Sequence, residues 1–391
     1  MNELTLQKCL EYEKLGWLNS HVSDDGKLIG FKYSLQTVYD HAWDEITLQC
    51  RGIVFDRATG DLVCHPFDKF FNSEEIWTED GQLAEVGKIL KRLGHGFEPK
   101  MTRFFRAMDK IDGSLGLLFF YDGKWIIKTG GSFNSDQAKW AQKWFDKNIA
   151  PDRLEHLNEG WDYCFEIVSK DDPHVCHYDY EGLVLLGFFD ENHVEGEMID
   201  VVELAYKLGV RYSEASMFSS YEDMVKTARD LDVDHEGFVV TFESGFKVKV
   251  KGMEYLSKFH MISGITKKDI RLHFDIDKLH VDPEYKAAIP EELPQMQQYA
   301  EFLDNECSAI KIEVQDVVFK IAGLTGRERY EKAIAEGGKF KGSLAVAITC
   351  GTANYKDLHV FLRSMMEQAH ARECHQHIIL IACVNDVLIA D

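Results

Sequence analysis

The segment of this chain best equipped for covalent chemistry is Asp109-Lys110-Ile111-Asp112-Gly113-Ser114, a lysine between two aspartates followed by a glycine–serine turn. A lysine amine attacks a carbonyl or a phosphorus only without its proton, and its ordinary pKa is about 10.4, so burial or nearby cations must lower it. Gly113 lets backbone approach a ligand closely, and Ser114 can cap the turn or donate to a phosphate. So short a match is common by chance, and a surface Lys-x-Asp beside a turn is the plainer reading of these residues alone. Three further features bear on it. Glu166 stands inside an apolar run at 162–168, Glu236 precedes another at 237–242, and Lys247, Lys249 and Lys251 alternate with Val248 and Val250. A carboxylate within a strand is either on a solvated face or buried for a purpose. Alternating lysines share one face, which an edge strand commonly turns to water.

Such residues must be positioned by short strands and turns. The run 103–108 reads as extended, and 115–121 and 124–129 flank Asp122-Gly123, a strong hairpin signal because both turn residues tolerate positive φ. Strands are expected at 28–35, which carries Tyr33, and at 51–56, which Arg51 opens, then at 62–66, 162–168, 183–189, 237–242 and 246–251. Helical patterns open residues 1–22 and recur at 136–148 (capped by Asn134 or Ser135), 200–208 (stopped by Gly209) and 221–231 (capped by Ser219 or Ser220). Phe67, Phe70 and Phe71 interleave with Lys69, either packing a core or offering a stacking platform for bases. From about residue 253 strand alternation gives way to helical stretches, notably 296–321 and 356–371. The expected fold class is α+β: a core over 1–260 of antiparallel and mixed sheets with flanking helices, then a mostly helical domain over 261–391.

Composition narrows the classes. Hydrophobic residues make up 45% and charged residues 28%, as in folded soluble proteins. No run approaches the roughly 18 apolar residues of a membrane span, and the N-terminus lacks the pattern of a signal peptide. Cys9, Cys50, Cys64, Cys164, Cys176, Cys307, Cys350, Cys374 and Cys383 are scattered without a Cys-x-x-Cys pair, which points to free thiols in a reducing, cytoplasmic setting. A net charge of −22 opposes indiscriminate nucleic-acid binding while leaving room for a local basic groove, expected around Lys128, Lys249 and Lys251. His370, Cys374 and His377, with His375 alongside, read as a polar helix face rather than a zinc site, and His174, Cys176 and His177 as loop residues.

Taken in order, Lys110-x-Asp-Gly-Ser, Phe165-Glu166-Ile167-Val168, His235-Glu236-Gly237-Phe238-Val239 and Lys249-Val250-Lys251 resemble the motifs of the covalent nucleotidyltransferases, which include nucleic-acid ligases and mRNA-capping enzymes. With Cys50-Arg51-Gly52 and Lys69-Phe70-Phe71-Asn72 upstream, the chain resembles most the bacteriophage RNA ligase 1 family of tRNA-repair ligases, over roughly residues 30–255. The resemblance implies a nucleotidyltransferase (ATP-grasp-like) core and an ATP-dependent RNA ligase. Lys110 would attack the α-phosphate of ATP, AMP would pass to an RNA 5′-phosphate, and an RNA 3′-hydroxyl would displace AMP and join the strands.

The same resemblance assigns roles. Nucleotide contacts would come from Tyr33, Arg51, Lys69, Phe71, Asp112, Gly113, Lys128, Glu166, Lys249 and Lys251, with Glu236 holding Mg2+, or Mn2+ in its place. Lys249 and Lys251 would also depress the pKa of Lys110. One departure stands out: where the family carries Lys-x-Lys-Gly-Ser, this chain has Lys128-Thr129-Gly130-Gly131-Ser132, with Gly130 in place of the second lysine. The expected partners are ATP and RNA with 5′-phosphate and 3′-hydroxyl ends, with no membrane. The expected state is a monomer, in the host cytoplasm if phage-encoded. The rival readings are a capping-type guanylyltransferase or DNA ligase of the same superfamily, and a non-catalytic nucleotide- or nucleic-acid-binding protein. DNA ligases and capping enzymes append a small β-barrel whose short alternating strands are not apparent here.

Overall fold

The computed structural model describes residues 4–338 except 79, 96–104, 173, 264, 276–279, 291–292, 294, 306–319, 322 and 325. The chain divides into two units, Met1–Phe259 and His260–Asp391.

Three sheets build the first unit. The first is antiparallel, with β1 (Leu18–Val22), β2 (Leu28–Tyr33), β3 (Arg51–Asp56) and β4 (Leu62–Cys64) in chain order. Ten strands follow: β5 (Phe71–Asn72), β6 (Phe105–Asp109), β7 (Ser114–Tyr121), β8 (Lys124–Thr129), β9 (Asp162–Val168), β10 (Gly182–Phe189), β11 (Arg211–Tyr212), β12 (Ala215–Ser216), β13 (Gly237–Phe242) and β14 (Lys247–Lys251). They form two five-stranded sheets, ordered β11-β10-β9-β7-β8 and β12-β6-β13-β14-β5. Each is antiparallel apart from one short parallel edge pair, β10 with β11 and β14 with β5. The sheets are therefore antiparallel and mixed, and the fold is α+β.

Local chemistry explains the elements around the site. The β7–β8 hairpin closes on Tyr121↔Lys124 through Asp122 (φ 51°) and Gly123 (φ 79°), the positive-φ pair a tight two-residue turn requires. The Ser135 hydroxyl accepts from the Ala138 N–H to start helix Asp136–Asn148, Gly209 ends helix Met198–Leu208 at φ 72°, and Ser220 caps helix Tyr221–Arg229. Along β13 and β14 the even-numbered Phe238, Val240, Phe242, Val248 and Val250 enter a core with Trp43, Phe71 and Ile76. The odd-numbered residues are left facing the other way.

Several elements were not foreseen. Residues 1–22 split into helix Leu6–Lys14 and strand β1, and helix Glu85–Arg92 packs Val86, Ile89 and Leu90 into the same core as β13. In the second unit the described elements are helices Lys267–Leu272, Pro283–Ala287 and Gly326–Glu336, a helix over 295–305, and a small ladder of Phe274–Asp275 with His280–Val281. The expected helix at 356–371, most of the one at 296–321, and the His370–Cys374–His377 group lie outside the described residues, as do 103 and 104 of the run before β6.

Candidate active site

Lys110 sits in the short connection between β6 and β7, and backbone bonds fix that connection. The Lys110 N–H donates to the Gly237 carbonyl at 2.8 Å, and the Asp109 N–H donates to the Glu214 carbonyl at 2.8 Å. The Ser213 hydroxyl donates to the Asp109 carbonyl at 2.6 Å. At the far end Asp112 acts as a clamp. Its Oδ2 accepts the N–H groups of Val175 and Cys176 at 2.9 and 3.1 Å, and its Oδ1 accepts the Tyr255 hydroxyl at 3.0 Å. Gly113 has no room for a side chain, since a Cβ there would meet the Ile167 carbonyl oxygen at 2.5 Å and Glu166 Cγ at 2.8 Å. The resemblance made Asp112 a nucleotide contact; in this structure its oxygens are engaged by the protein itself.

The Lys110 ammonium points at Glu236, with Nζ 2.6 Å from Oε2, while Lys251 Nζ lies 2.9 Å from Oε1. Burial disfavours the Lys110 ammonium, but Glu236 above all, then Glu166 and Asp112, outweigh it and raise the pKa above the ordinary lysine value. The expected depression by Lys249 and Lys251 is therefore corrected for this state: the nearer charges are carboxylates. Glu166 faces the same group, and burial first, with Glu236 next to it, pushes its carboxyl up to about 7 against the opposing pull of Lys110.

Sheet register spaces the remaining cations. Gly237 pairs with Lys251, Val239 with Lys249 and Met108, and Thr241 with Lys247 and Arg106. This gives three successive rows about 7 Å apart on one face. The second and third rows line a cavity whose opposite wall carries Leu115, Glu166 and Leu186, with Lys110, Arg51 and Phe70 also on its surface. Burial, then the cations Arg51, Lys69, Lys110 and Lys251, push Lys249 well below the ordinary lysine pKa. Arg51 lies 4.5 Å from the centre of the Phe70 ring, and its Nη1 is buried without a hydrogen-bond partner among the described residues. Lys249 crowded by other cations and an unpartnered Arg51 Nη1 favour an anion in the cavity.

Lys69 is held in an aromatic cage. Its Nζ lies 4.5 Å from the Phe71 ring centre, 5.5 Å from Tyr33 and 5.6 Å from Trp43. Burial lowers its pKa to about 8. Tyr33 and Phe71 are thus brought together with Lys69, but Phe71 is 1% exposed in the core, a position suited to supporting Lys69; the rings on the cavity wall are Phe67 and Phe70.

Lys128 is fully buried, donates to the Gly52 carbonyl at 3.1 Å, and is lowered to about 7 chiefly by burial. It offers no exposed charge to a basic groove, which corrects that expectation. At Gly130, where the family has a lysine, a Cβ would lie 3.4 Å from the Arg51 carbonyl oxygen.

Sequence reasoning gave no role to Arg106 or Glu195, left Lys247 out of the site and read Phe70 as a core or stacking residue, and all four line the cavity. Lys247 Nζ lies 2.6 Å from Glu195 Oε2, and Arg106 Nη2 lies 3.9 Å from Glu195 Oε1. The alternation of Lys247 with Lys249 was the available signal. A divalent cation fits this chemistry: Glu236 and Glu166 are buried carboxylates beside one another, and oxygen donors are what Mg2+ prefers.

Comparison with known proteins bears on the same segment. Residues 49–255 match the model of a family described as RNA ligase. An RNA ligase of Rhodothermus phage RM378 is 24% identical over 320 residues, 68% of this chain and 72% of that protein. A putative bifunctional polynucleotide kinase/RNA ligase of Autographa californica nuclear polyhedrosis virus is 27% identical over 54% of this chain, and the match spans only 31% of that protein. Among solved structures, an archaeal ATP-dependent RNA ligase aligns with 78% of this chain and 79% of its own at 11% identity and a TM-score of 0.46. A Naegleria gruberi RNA ligase with AMP and Mn aligns with 41% of this chain and 53% of its own at 16% identity and a TM-score of 0.35. The matched family segment runs from just before Arg51 through Lys110, Glu166 and Glu236 to just beyond Lys251, and over it the chain belongs to the RNA ligase family.

Proposed function

We propose that this RNA ligase joins an RNA 5′-phosphate to an RNA 3′-hydroxyl at the expense of ATP, with Lys110 as the nucleophile. The observation that supports it is the convergence of Lys110, Glu166, Lys249 and Arg51 on one cavity, with Arg51 Nη1 buried and without a hydrogen-bond partner among the described residues. In the first step Lys110 first gives up its ammonium proton to solvent; the neutral Nζ then bonds to the α-phosphorus as the bond from that phosphorus to pyrophosphate breaks, and a second N–H proton passes to solvent or the departing pyrophosphate. Lys249, Lys251, Arg51 and Lys69 bear on the phosphate oxygens, where negative charge develops. Glu166, raised towards neutrality, offers a carboxyl to the ribose hydroxyls. Mg2+, held by Glu236 with Glu166 beside it, would supply further positive charge to the phosphates when bound.

Any turn of Glu236 away from Lys110 lowers the lysine pKa, since Glu236 is the chief group holding it up. AMP then passes to the RNA 5′-phosphate, and the 3′-hydroxyl displaces it. Broken tRNA is the substrate class suggested by the resemblance, the second unit is proposed to select it, and a monomer suffices for the chemistry. No helix among the described residues is long and apolar enough to cross a membrane.

The test is sealing of a 5′-phosphorylated RNA with ATP or GTP, by wild type and Lys110→Ala. The expectation is ATP-dependent joining that Lys110→Ala abolishes. Joining that survives the substitution, or that requires GTP, contradicts the reading.

A further inference from the structure

We propose that His65, Asp68 and His193 form a second metal site, for a borderline divalent transition-metal ion such as Zn2+, apart from Glu236. One donor atom from each residue lies within 4.8 Å of the other two. The set joins distant parts of the chain. His65 and Asp68 follow β4, and His193 is on the turn after β10.

The donors lie close together, and the two imidazole nitrogens lack hydrogen-bond partners among the described residues. His65 is 8% exposed, and its N–H donates to Asp162 Oδ2 at 2.7 Å. His65 Nε2 and His193 Nδ1 are both buried without a hydrogen-bond partner among the described residues, although Asp68 Oδ1 stands 3.5 Å from that Nε2. Leaving two buried imidazole nitrogens unmet costs free energy that a ligated ion would offset. His193 adopts a left-handed backbone (φ 58°), fixed by a turn in which Asp190 Oδ1 accepts the N–H groups of Asn192 and Val194 at 2.9 and 2.8 Å.

Two imidazoles and one carboxylate are a ligand set for Zn2+ and its neighbours rather than for Mg2+. The metal-free rings are stacked, 3.5 Å between centres and 2° from parallel. A shared ion lies in the plane of each ring, so binding tilts one ring out of the stack. Asp68 and His193 also line a second cavity, which would give an ion a path to them. Bound there, the ion ties the segment leading into Lys69 to the β10 turn.

The test uses the full chain, stripped with a chelator and titrated calorimetrically with Zn2+, beside His193→Asn and Asp68→Asn. Asparagine tolerates the left-handed backbone at 193, and Asp68 has an exposed side chain, so loss of folding in one variant still leaves the other to decide. Because His370, Cys374, His375 and His377 also carry donor groups, the readout is the difference from wild type. The expected result is one equivalent of Zn2+ in wild type whose affinity falls about 10-fold or more in each variant, with X-ray absorption of that equivalent showing two imidazole ligands. Equal stoichiometry and affinity in wild type and folded variants, or absorption without imidazole, overturns the proposal.

Discussion

Lys110 and Lys251 share one carboxylate: Glu236 holds the first through Oε2 at 2.6 Å and the second through Oε1 at 2.9 Å. The pair that gives the site its geometry also keeps Lys110 protonated. A nucleophile stored as an ion pair is correctly aimed and chemically silent until its partner is redirected, which ties reactivity to occupancy of the site.

Glu236→Gln separates those two roles. Removing the charge lowers the Lys110 pKa, so the lysine should react faster with a neutral amine reagent at pH 8, measured by peptide mapping. Lysyl-adenylate formation should nonetheless fall, by about 100-fold, because the carboxylate proposed to hold the metal is gone. Unchanged labelling of Lys110 would show that Glu236 does not hold its proton.

Lys69 predicts a pH dependence for triphosphate binding. Its pKa is lowered to about 8, so it is charged below that pH and loses its proton above it. Apparent affinity for ATP should therefore weaken as pH rises through and beyond 8. Lys69→Arg stays charged throughout, and the slope should be absent from its KM profile.

Lys128 makes a stability prediction. Its folded pKa of about 7 is below the ordinary lysine value, so between pH 7 and about 10.5 the unfolded chain binds more protons. Its contribution to stability is complete above the unfolded pKa and is lost as pH falls through about 7. Lys128→Met should lack this slope, and denaturant titrations of the two proteins should diverge by on the order of 2–4 kcal/mol across the window.

Gly113→Ala should disturb Glu166, because the new Cβ would fall 2.5 Å from the Ile167 carbonyl oxygen and 2.8 Å from Glu166 Cγ. The strain is on the order of 1–3 kcal/mol. A lower melting temperature and a raised KM for ATP are expected; wild-type values for both would place the loop elsewhere.

Much of this architecture is written locally. The Asp122-Gly123 turn, the Ser135 cap and the alternation of β14 act within a few residues, and the corresponding elements form where those signals lie. Strands β5 and β12, each two residues long, exist only through pairing with β14 and β6, so no periodicity could announce them. The candidate site divides in the same way. Lys110, Glu166, Glu236, Lys249 and Lys251 stand at strand ends or on strand faces, where pattern marked them as candidates and the resemblance to the ligase motifs supplied their roles. The capture of Asp112 by Tyr255 and the Val175–Cys176 backbone, the cage around Lys69 and the burial of Lys128 depend on contacts between distant segments. The proton on Lys110 was misjudged for the same reason, since Glu236 lies closer to it than the motif order discloses.

The most direct test is incubation of the wild-type chain with ATP and Mg2+, followed by proteolysis and mass spectrometry under conditions that preserve phosphoramidates. One AMP on Lys110, absent from Lys110→Ala, is the predicted result. An adduct on another residue, or none with ATP under conditions where the same preparation joins RNA, would contradict the account.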